Sequence, residues 1–135
     1  MSRKMPQIRE YMTPVPHTVG SDTPLSKIQE FMSQYQVRHL PVRKGNDLVG
    51  IISDRSVKSA LGSQRSELLR AEDVMIPEPF SVLPQTDLDQ VAAEMAEEKY
   101  GCALVREESG KLIGIFTTVD ACRVLRQVLE TFYPE

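Results

Sequence analysis

Tryptophan is absent from this 135-residue sequence, and cysteine and histidine occur only twice each. The spacing of Cys102 and Cys122 matches no zinc or redox motif, and His17 and His39 do not complete a set of metal ligands. No nucleophile stands in a pattern that pairs it with a general base. These absences lead us to expect neither a metal site nor an enzyme.

Long apolar runs and clusters of basic residues are missing as well. No run approaches the length that crosses a membrane, and the N-terminus lacks the apolar core of a signal peptide. The net charge is −3 and the basic residues are scattered, which argues against a nucleic-acid partner. We therefore expect a globular cytoplasmic protein that binds neither membrane nor nucleic acid.

A tandem duplication of about 60 residues organises the chain, and so few copies of so long a period exclude a solenoid. Residues 11–42 match residues 74–105 at a constant offset, which places Met12 opposite Met75. One extra residue in the second hairpin lengthens the offset by one position for the strand that follows. The two copies should therefore adopt the same fold.

Each copy has the pattern of a β-α-β-β-α unit, so the fold class is α/β with an α+β-like order of elements. We expect Thr23 and Thr86 to cap the first helices, with Pro24 at the first helical position of one of them. Each sheet keeps an apolar face that packing against the other copy would cover, with pseudo-two-fold symmetry. The predicted boundaries are residues 1–61 for the first repeat, 62–72 for a connector and 73–135 for the second repeat.

One turn combines features that suit a nucleotide. Thr117 and Asp120 stand where a predicted strand, residues 112–116, turns into a predicted helix, residues 119–132. Free N–H groups at a helix start favour an anion, a hydroxyl can donate to a phosphate, and a carboxylate can accept both hydroxyls of a ribose. The same Thr-x-x-Asp spacing is that of a capping box. Spacing alone leaves both interpretations open.

The first copy contains Met-Thr-Pro at 12–14, Thr-Pro-Leu at 23–25 and the stretches 37–42 and 50–55, and the second copy repeats these and ends in the stretch 114–120. On these residues the duplicated pattern resembles a tandem pair of CBS domains, the cystathionine-β-synthase type, which is also called a Bateman module. The resemblance covers nearly the whole chain and is specific because the two copies are in register. It implies a cleft between the two copies with two sites for adenosine-containing ligands.

The function that this resemblance implies is a regulatory or sensor module. Its ligand would be AMP, ADP or ATP, with NAD and S-adenosylmethionine as alternatives that share the same adenosine part. No cofactor would be required, and the regulated protein is not identifiable from the sequence. The alternative is an interaction or dimerisation scaffold whose clefts bind nothing.

The resemblance also assigns residues to two sites. In the first copy Ser56 stands where the ribose acid is expected, and a serine cannot hold a diol through two carboxylate oxygens, so one site should be weaker. The main site would consist of Thr117, Asp120, Ile115, Val15, Pro16, His17 and Val37. The weaker site would consist of Ser53, Arg55, Ser56, Arg38 and His39.

A homodimer is expected from the second helix of each copy, because apolar residues recur there at helical spacing. The resemblance points to a flat disc of two modules related by a two-fold axis. The alternative is a monomer in which the apolar stripes pack against their own copy. The stripes are Cys122, Leu125, Leu129 and Phe132 in the second copy, and Val57, Ala60 and Leu61 in the first.

Overall fold

The computed structural model describes residues 3–14 and 17–134. These residues form a mixed α/β fold with two four-stranded sheets and five α-helices. They divide into two compact units. Residues 17–79 form the continuous unit, and residues 3–14 together with 80–134 form the split unit.

The secondary-structure elements follow the duplication. Two short 3-10 turns, Ile8–Glu10 and Ser66–Leu68, accompany them. In chain order the elements are β1 (Thr13–Pro14), β2 (Val19–Gly20), α1 (Leu25–Tyr35), β3 (His39–Lys44), β4 (Asp47–Ser53), α2 (Asp54–Leu61), α3 (Ala71–Val74), β5 (Ile76–Pro77), β6 (Ser81–Val82), α4 (Leu88–Glu98), β7 (Cys102–Arg106), β8 (Leu112–Thr117) and α5 (Thr118–Phe132).

The two sheets have the same topology. The continuous unit has the order β2-β3-β4-β5, and the split unit has the order β6-β7-β8-β1. In each sheet the hairpin, β3–β4 or β7–β8, is antiparallel. The strand that precedes the first helix of the copy, β2 or β6, pairs parallel to the first hairpin strand. The outermost strand, β5 or β1, pairs antiparallel to the second hairpin strand, which we call the return strand. The duplicated sequence thus produces a duplicated sheet.

The outermost strand beside each return strand is exchanged between the repeats. Thr13 of β1 lies opposite Ile115 of β8 in the split unit, and Ile76 of β5 lies opposite Ile51 of β4 in the continuous unit. In the sequence, β1 leads the first repeat and β5 leads the second. Each repeat therefore supplies the leading strand that completes the sheet containing the other repeat's hairpin.

Each copy begins with a leading segment that contains this outermost strand, residues 3–14 in the first copy and 66–77 in the second. Backbone hydrogen bonds attach the leading segments to the helix starts. The Leu25 N–H at the start of α1 donates to the carbonyl of Leu69 at 3.3 Å, and the Leu88 N–H of α4 donates to the carbonyl of Pro6 at 2.9 Å. The first N–H groups of a helix have no partner inside it. The leading segments therefore supply acceptors that side-chain caps would otherwise provide.

The predicted caps at Thr23 and Thr86 are wrong. Pro24 and Asp87 occupy the N-cap positions of α1 and α4, and neither helix start has a side-chain cap bond. The backbone of Pro24 is extended, with ψ at 147°, so it precedes the helix instead of opening it. The carbonyl of Thr86 accepts from the Ile8 N–H of the leading segment, which ties this residue to the exchange.

Each unit has its own apolar core, and a leading segment contributes to each. Ile8 is fully buried in the core of the split unit beside Phe116, and Ala71 is fully buried in that of the continuous unit. Glycines give these segments room. A Cβ on Gly50 would lie 2.6 Å from the sulfur of Met75 and 2.9 Å from the backbone oxygen of Ile76, and because the backbone cannot move aside like a side chain, this close approach requires glycine.

Candidate functional site

The turn from β8 to α5 is a capping box. Thr117 is the N-cap, and its Oγ1 accepts from the backbone N–H of Asp120 at 3.4 Å. The Thr117 N–H donates in return to Asp120 Oδ2 at 2.9 Å. The structural interpretation of the Thr-x-x-Asp pattern is therefore confirmed, and what the turn can do for a ligand depends on the atoms that this box leaves available.

The only proton of the Thr117 hydroxyl is used inside the turn. Besides accepting one hydrogen bond, Oγ1 lies 3.1 Å from Asp120 Oδ2. A hydroxyl has one proton and an ionised carboxylate only accepts, so the proton of Thr117 points to Asp120. Both acceptor positions of Oδ2 are consequently occupied by groups of Thr117.

The other carboxylate oxygen of Asp120 faces a replaceable partner. Oδ1 accepts from Nη1 of Arg123 at 3.2 Å. The side chain of Asp120 is 9% exposed, whereas that of Arg123 is 73% exposed. The arginine was missed by our sequence reasoning, although its position three residues after an acid on a helix is the spacing of an ion pair.

A cavity of about 280 Å³ lies beside this ion pair, and its volume is just below the usual range for ligand pockets, about 300–1,000 Å³. One wall is the leading segment and the other is the first half of α5. Ile115 does not line it, because it is buried in β8 opposite Thr13. The lining residues are Tyr11, Met12, Thr13, Pro14, Asp120, Arg123, Val124 and Gln127.

Other predicted members of the main site belong to the continuous unit. His17 is exposed, and its ring packs against Tyr35 and Phe31 with centroid separations of 4.4 and 5.5 Å. Val15 and Pro16 lie outside the described residues. The structure therefore brings together Thr117, Asp120 and the strand that contains Ile115, and it describes His17 within a separate aromatic cluster.

The equivalent turn in the continuous unit has no carboxylate at the matching position. Ser53 is the N-cap of α2, and its Oγ accepts from the Ser56 N–H at 3.1 Å. The two serine hydroxyls lie 2.8 Å apart and are hydrogen-bonded to each other. Arg55 is exposed on the first turn of α2. This turn thus offers hydroxyls and a cation, but no carboxylate at the position that corresponds to Asp120.

A larger open cavity of about 930 Å³ lies on the same unit and is polar along most of its wall. Val37 and Arg38 line it, and so do Asp54 and Lys58, whose side chains form an ion pair at 3.1 Å. Two predicted site residues are therefore brought to one surface. The lysine already has a carboxylate partner, which leaves the exposed Arg38 as the cation there without a described ion pair.

His39, a predicted member of the weaker site, does not supply a cation there. Burial lowers its pKa from 6.5, the charge of Arg38 lowers it further, and Asp54 opposes the shift. A histidine with a lowered pKa is uncharged at neutral pH. His39 is therefore a half-buried neutral residue of β3.

The described residues contain no group of three or more histidine, cysteine or acidic side chains placed to hold a metal ion. Cys102 is buried, and burial raises the pKa of its thiol to about 12, whereas Cys122 is exposed on α5. No helix among the described residues has the length and apolar character needed to span a bilayer.

Comparison with known sequences places the duplicated pattern in a defined group. The sequence profile of the CBS domain matches the chain twice, at residues 8–63 and 71–127. An inosine-5′-monophosphate dehydrogenase of Korarchaeum cryptofilum is 32% identical over 103 residues, which are 76% of this chain and 21% of that protein. A CBS domain-containing protein of Dictyostelium discoideum is 26% identical over 95% of this chain and 97% of its own length. The chain thus spans a small part of the first relative and nearly all of the second.

Solved structures match the fold over almost the full length. AcuB of Vibrio cholerae, assigned to acetoin utilization, has a TM-score of 0.83 and 29% identity, and 98% of each chain is covered. CBSX2 of Arabidopsis thaliana in complex with AMP has a TM-score of 0.78 and 27% identity, covering 90% of this chain and 97% of that one. The CBS domain pair of MJ0100, in complex with 5′-methylthioadenosine and S-adenosyl-L-methionine, has a TM-score of 0.83 over 92% of this chain and 98% of its own, and at 21% identity it shares the fold.

Proposed function

The chain belongs to the CBS domain family, and from this membership we propose that it is a regulatory module that binds an adenosine-containing ligand of the AMP, ADP or ATP class. A fold alone does not define a function, so the proposal depends on a site. AMP binding by CBSX2, whose structure matches this chain at 27% identity, supports the ligand class.

The observation that carries the proposal is the environment of the Asp120 carboxylate. It is almost completely buried and it lines the 280 Å³ cavity, and among the described residues the exposed Arg123 is the one group that holds its Oδ1 atom. A ribose diol has two hydroxyl donors, and the lone pairs of Oδ1 are the acceptor sites that the capping box leaves to them. Thr117 fixes the direction of the carboxylate, which prepares it for a ligand.

The remaining members of the proposed site are assigned by their positions in the repeats. Ile115 forms the buried strand behind the turn. Four residues of the first copy are assigned to the same site, where they would supply backbone and apolar contacts to the adenine ring: Val15, Pro16, His17 and Val37. NAD and S-adenosylmethionine remain alternative ligands because both contain the same adenosine part. A scaffold with empty clefts is the alternative function, and we propose no catalytic activity.

Calorimetry on the wild type and Asp120→Ala tests this function. We expect AMP, ADP or ATP to bind the wild type, and the variant to bind about ten- to a hundred-fold more weakly, because it loses charge-assisted hydrogen bonds to the ribose. A thermal-shift screen of adenosine compounds first selects the ligand, since a ligand of the native state raises the melting temperature.

The matched control is Asp89→Ala, which removes an exposed acid from the first turn of α4 and should leave the affinity unchanged. Removing Asp120 also removes a cap from α5, which costs stability, so binding is measured well below the melting temperature of each variant. Equal affinities for wild type and Asp120→Ala would exclude this carboxylate from the site.

The turns at Thr117 and at Ser53 should bind the adenosine-containing ligand with unequal affinity. Ser56 offers one hydroxyl where Asp120 offers a carboxylate, and that hydroxyl is already bonded to Ser53. We expect a titration to show one strong site per chain, and Ser56→Asp to strengthen the weaker one. Two equally tight sites in the wild-type titration would contradict this asymmetry.

We also propose that the module is a homodimer formed through α5. Leu125, Leu129 and Phe132 on this helix are 55, 46 and 63% exposed. The Arg3 guanidinium of the same unit lies 5.8 Å from the centroid of the Phe132 ring, yet all three apolar side chains stay largely open to solvent. An exposed apolar face of this kind usually marks an interface. In α2, by contrast, Val57 is fully buried and Ala60 and Leu61 pack against the core of the continuous unit. The stripe predicted on that helix is therefore a core stripe.

A further inference from the structure

The turn that holds Asp120 has few free donors for a phosphate. The hydroxyl of Thr117 donates to Asp120 Oδ2, and the backbone N–H of Thr117 donates to the same oxygen. The N–H of Thr118 donates to the carbonyl of Gly101 at 3.1 Å, and that of Asp120 donates to Thr117 Oγ1. The groups that a helix start normally offers to an anion are largely satisfied by the protein itself.

Arg123 is different, because most of its hydrogen-bonding capacity is unused. A guanidinium has five N–H donors in a planar fork, and only one of them donates to Asp120. Asp120 is the single partner of Arg123 among the described residues. The side chain is 73% exposed and lines the cavity, so it can turn toward a ligand without crossing packed groups.

The ion pair also places this cation where a nucleotide must approach. A ribose that donates to Asp120 has to reach Oδ1, since Oδ2 already accepts from two groups. Oδ1 is the atom that the guanidinium holds at 3.2 Å. Binding of the ribose to Oδ1 therefore either displaces the guanidinium or shares the oxygen with it. In both cases the positive charge of Arg123 stays beside the ligand, where a phosphate is the matching partner.

We propose that Arg123 recognises the phosphate of the adenine nucleotide and sets the preference of the site for charged nucleotides over neutral adenosine. This rests on the function proposed above, and it moves the phosphate contact from Thr117 to the first half of α5. Thr117 holds the carboxylate in place, and Arg123 reads the charge of the ligand. Arg123 is the only cation that lines this cavity among the described residues.

Calorimetric titration of the full chain with AMP and with adenosine tests the assignment. We expect the wild type to bind AMP more tightly than adenosine. Arg123→Gln, which keeps a polar side chain and removes the charge, should weaken AMP binding about ten- to a hundred-fold and change adenosine binding much less. Arg123→Lys keeps the charge without the fork and should fall between wild type and Arg123→Gln.

The matched control is Arg126→Gln. Arg126 lies one turn further along α5, is 78% exposed and pairs with the exposed Glu130 at 2.9 Å, so it is an ion-paired arginine of the same helix that does not line the cavity. We expect this variant to bind both compounds like the wild type. Thr117→Val should weaken both compounds by a similar factor, because it loosens the carboxylate that both require.

Three results would overturn the assignment. Equal weakening of AMP and adenosine by Arg123→Gln would show a structural role for the arginine, and no weakening would show no role. A loss confined to AMP in Thr117→Val would return the phosphate contact to the threonine. Binding of adenosine and AMP with equal affinity by the wild type would refute the charge preference and leave the adenosine site intact, whereas binding of neither would refute the proposed function as well.

Discussion

Replacing Ile8 with alanine should lower the free energy of unfolding by about 2–5 kcal/mol, the range for removing a large apolar side chain from a packed core. Ile8 lies in the leading segment and is fully buried among core residues of the split unit, including Val91 and Phe116. Its alanine variant leaves a cavity that the surrounding strands cannot easily close. Urea unfolding at a fixed protein concentration measures the loss.

The matched control makes the same change at an exposed position. Ile76 in β5 is 60% exposed, so Ile76→Ala should cost less than about 1 kcal/mol. If the two alanine variants were equally stable, Ile8 would not be part of the core of the split unit. The comparison thus tests whether a residue at the start of the chain stabilises a unit built mostly from its second half.

Leu129→Asp should convert the proposed dimer into single chains. In a two-fold interface the substitution occurs twice, and each copy would bury a carboxylate without a partner. Removing such a charge from water costs several kcal/mol per ion, and the two-fold interface would bear this cost twice. Sedimentation at micromolar concentration should show the wild type near twice the 15.2 kDa chain mass and the variant near the chain mass itself.

Leu68→Asp is the matched control for this change. Leu68 is 66% exposed but lies in the 3-10 turn of the continuous unit, away from α5 in the sequence, so its variant should remain dimeric. A wild type that sediments as a single chain would contradict the dimer. A dimer that persists in Leu129→Asp would show that the apolar face of α5 is not its interface.

Much of the fold could be predicted from the sequence, because the signals are local. Apolar periodicity and turn residues predict the hairpins, the helices α1, α4 and α5, and the strand-to-helix turn at Thr117. The strand exchange could not be predicted in this way. Pairing of Thr13 with Ile115 is a long-range choice made by backbone groups, and backbone hydrogen bonds leave little trace in residue type.

The candidate site shows the same division. Its acid and its hydroxyl were predicted from a motif, and the structure confirms that they share one capping box. The direction of the Thr117 proton and the position of Arg123 depend on side-chain geometry within one helical turn. The Thr-x-x-Asp spacing was compatible with a hydrogen bond from the Thr117 hydroxyl to a phosphate. The single proton of that hydroxyl, however, already points to Asp120, so the structure does not favour this contact.

The strand exchange has a consequence for the order in which the two units can form during synthesis. All four strands of the continuous unit are encoded within one stretch of chain, so its sheet can close once that stretch has left the ribosome. The leading segment of the split unit is made first but has to wait for β8, about a hundred residues later, and such distant pairings form slowly. Until β8 has been synthesised, the apolar side chain of Ile8 has no core to pack into, and during this interval the nascent chain is prone to misassembly.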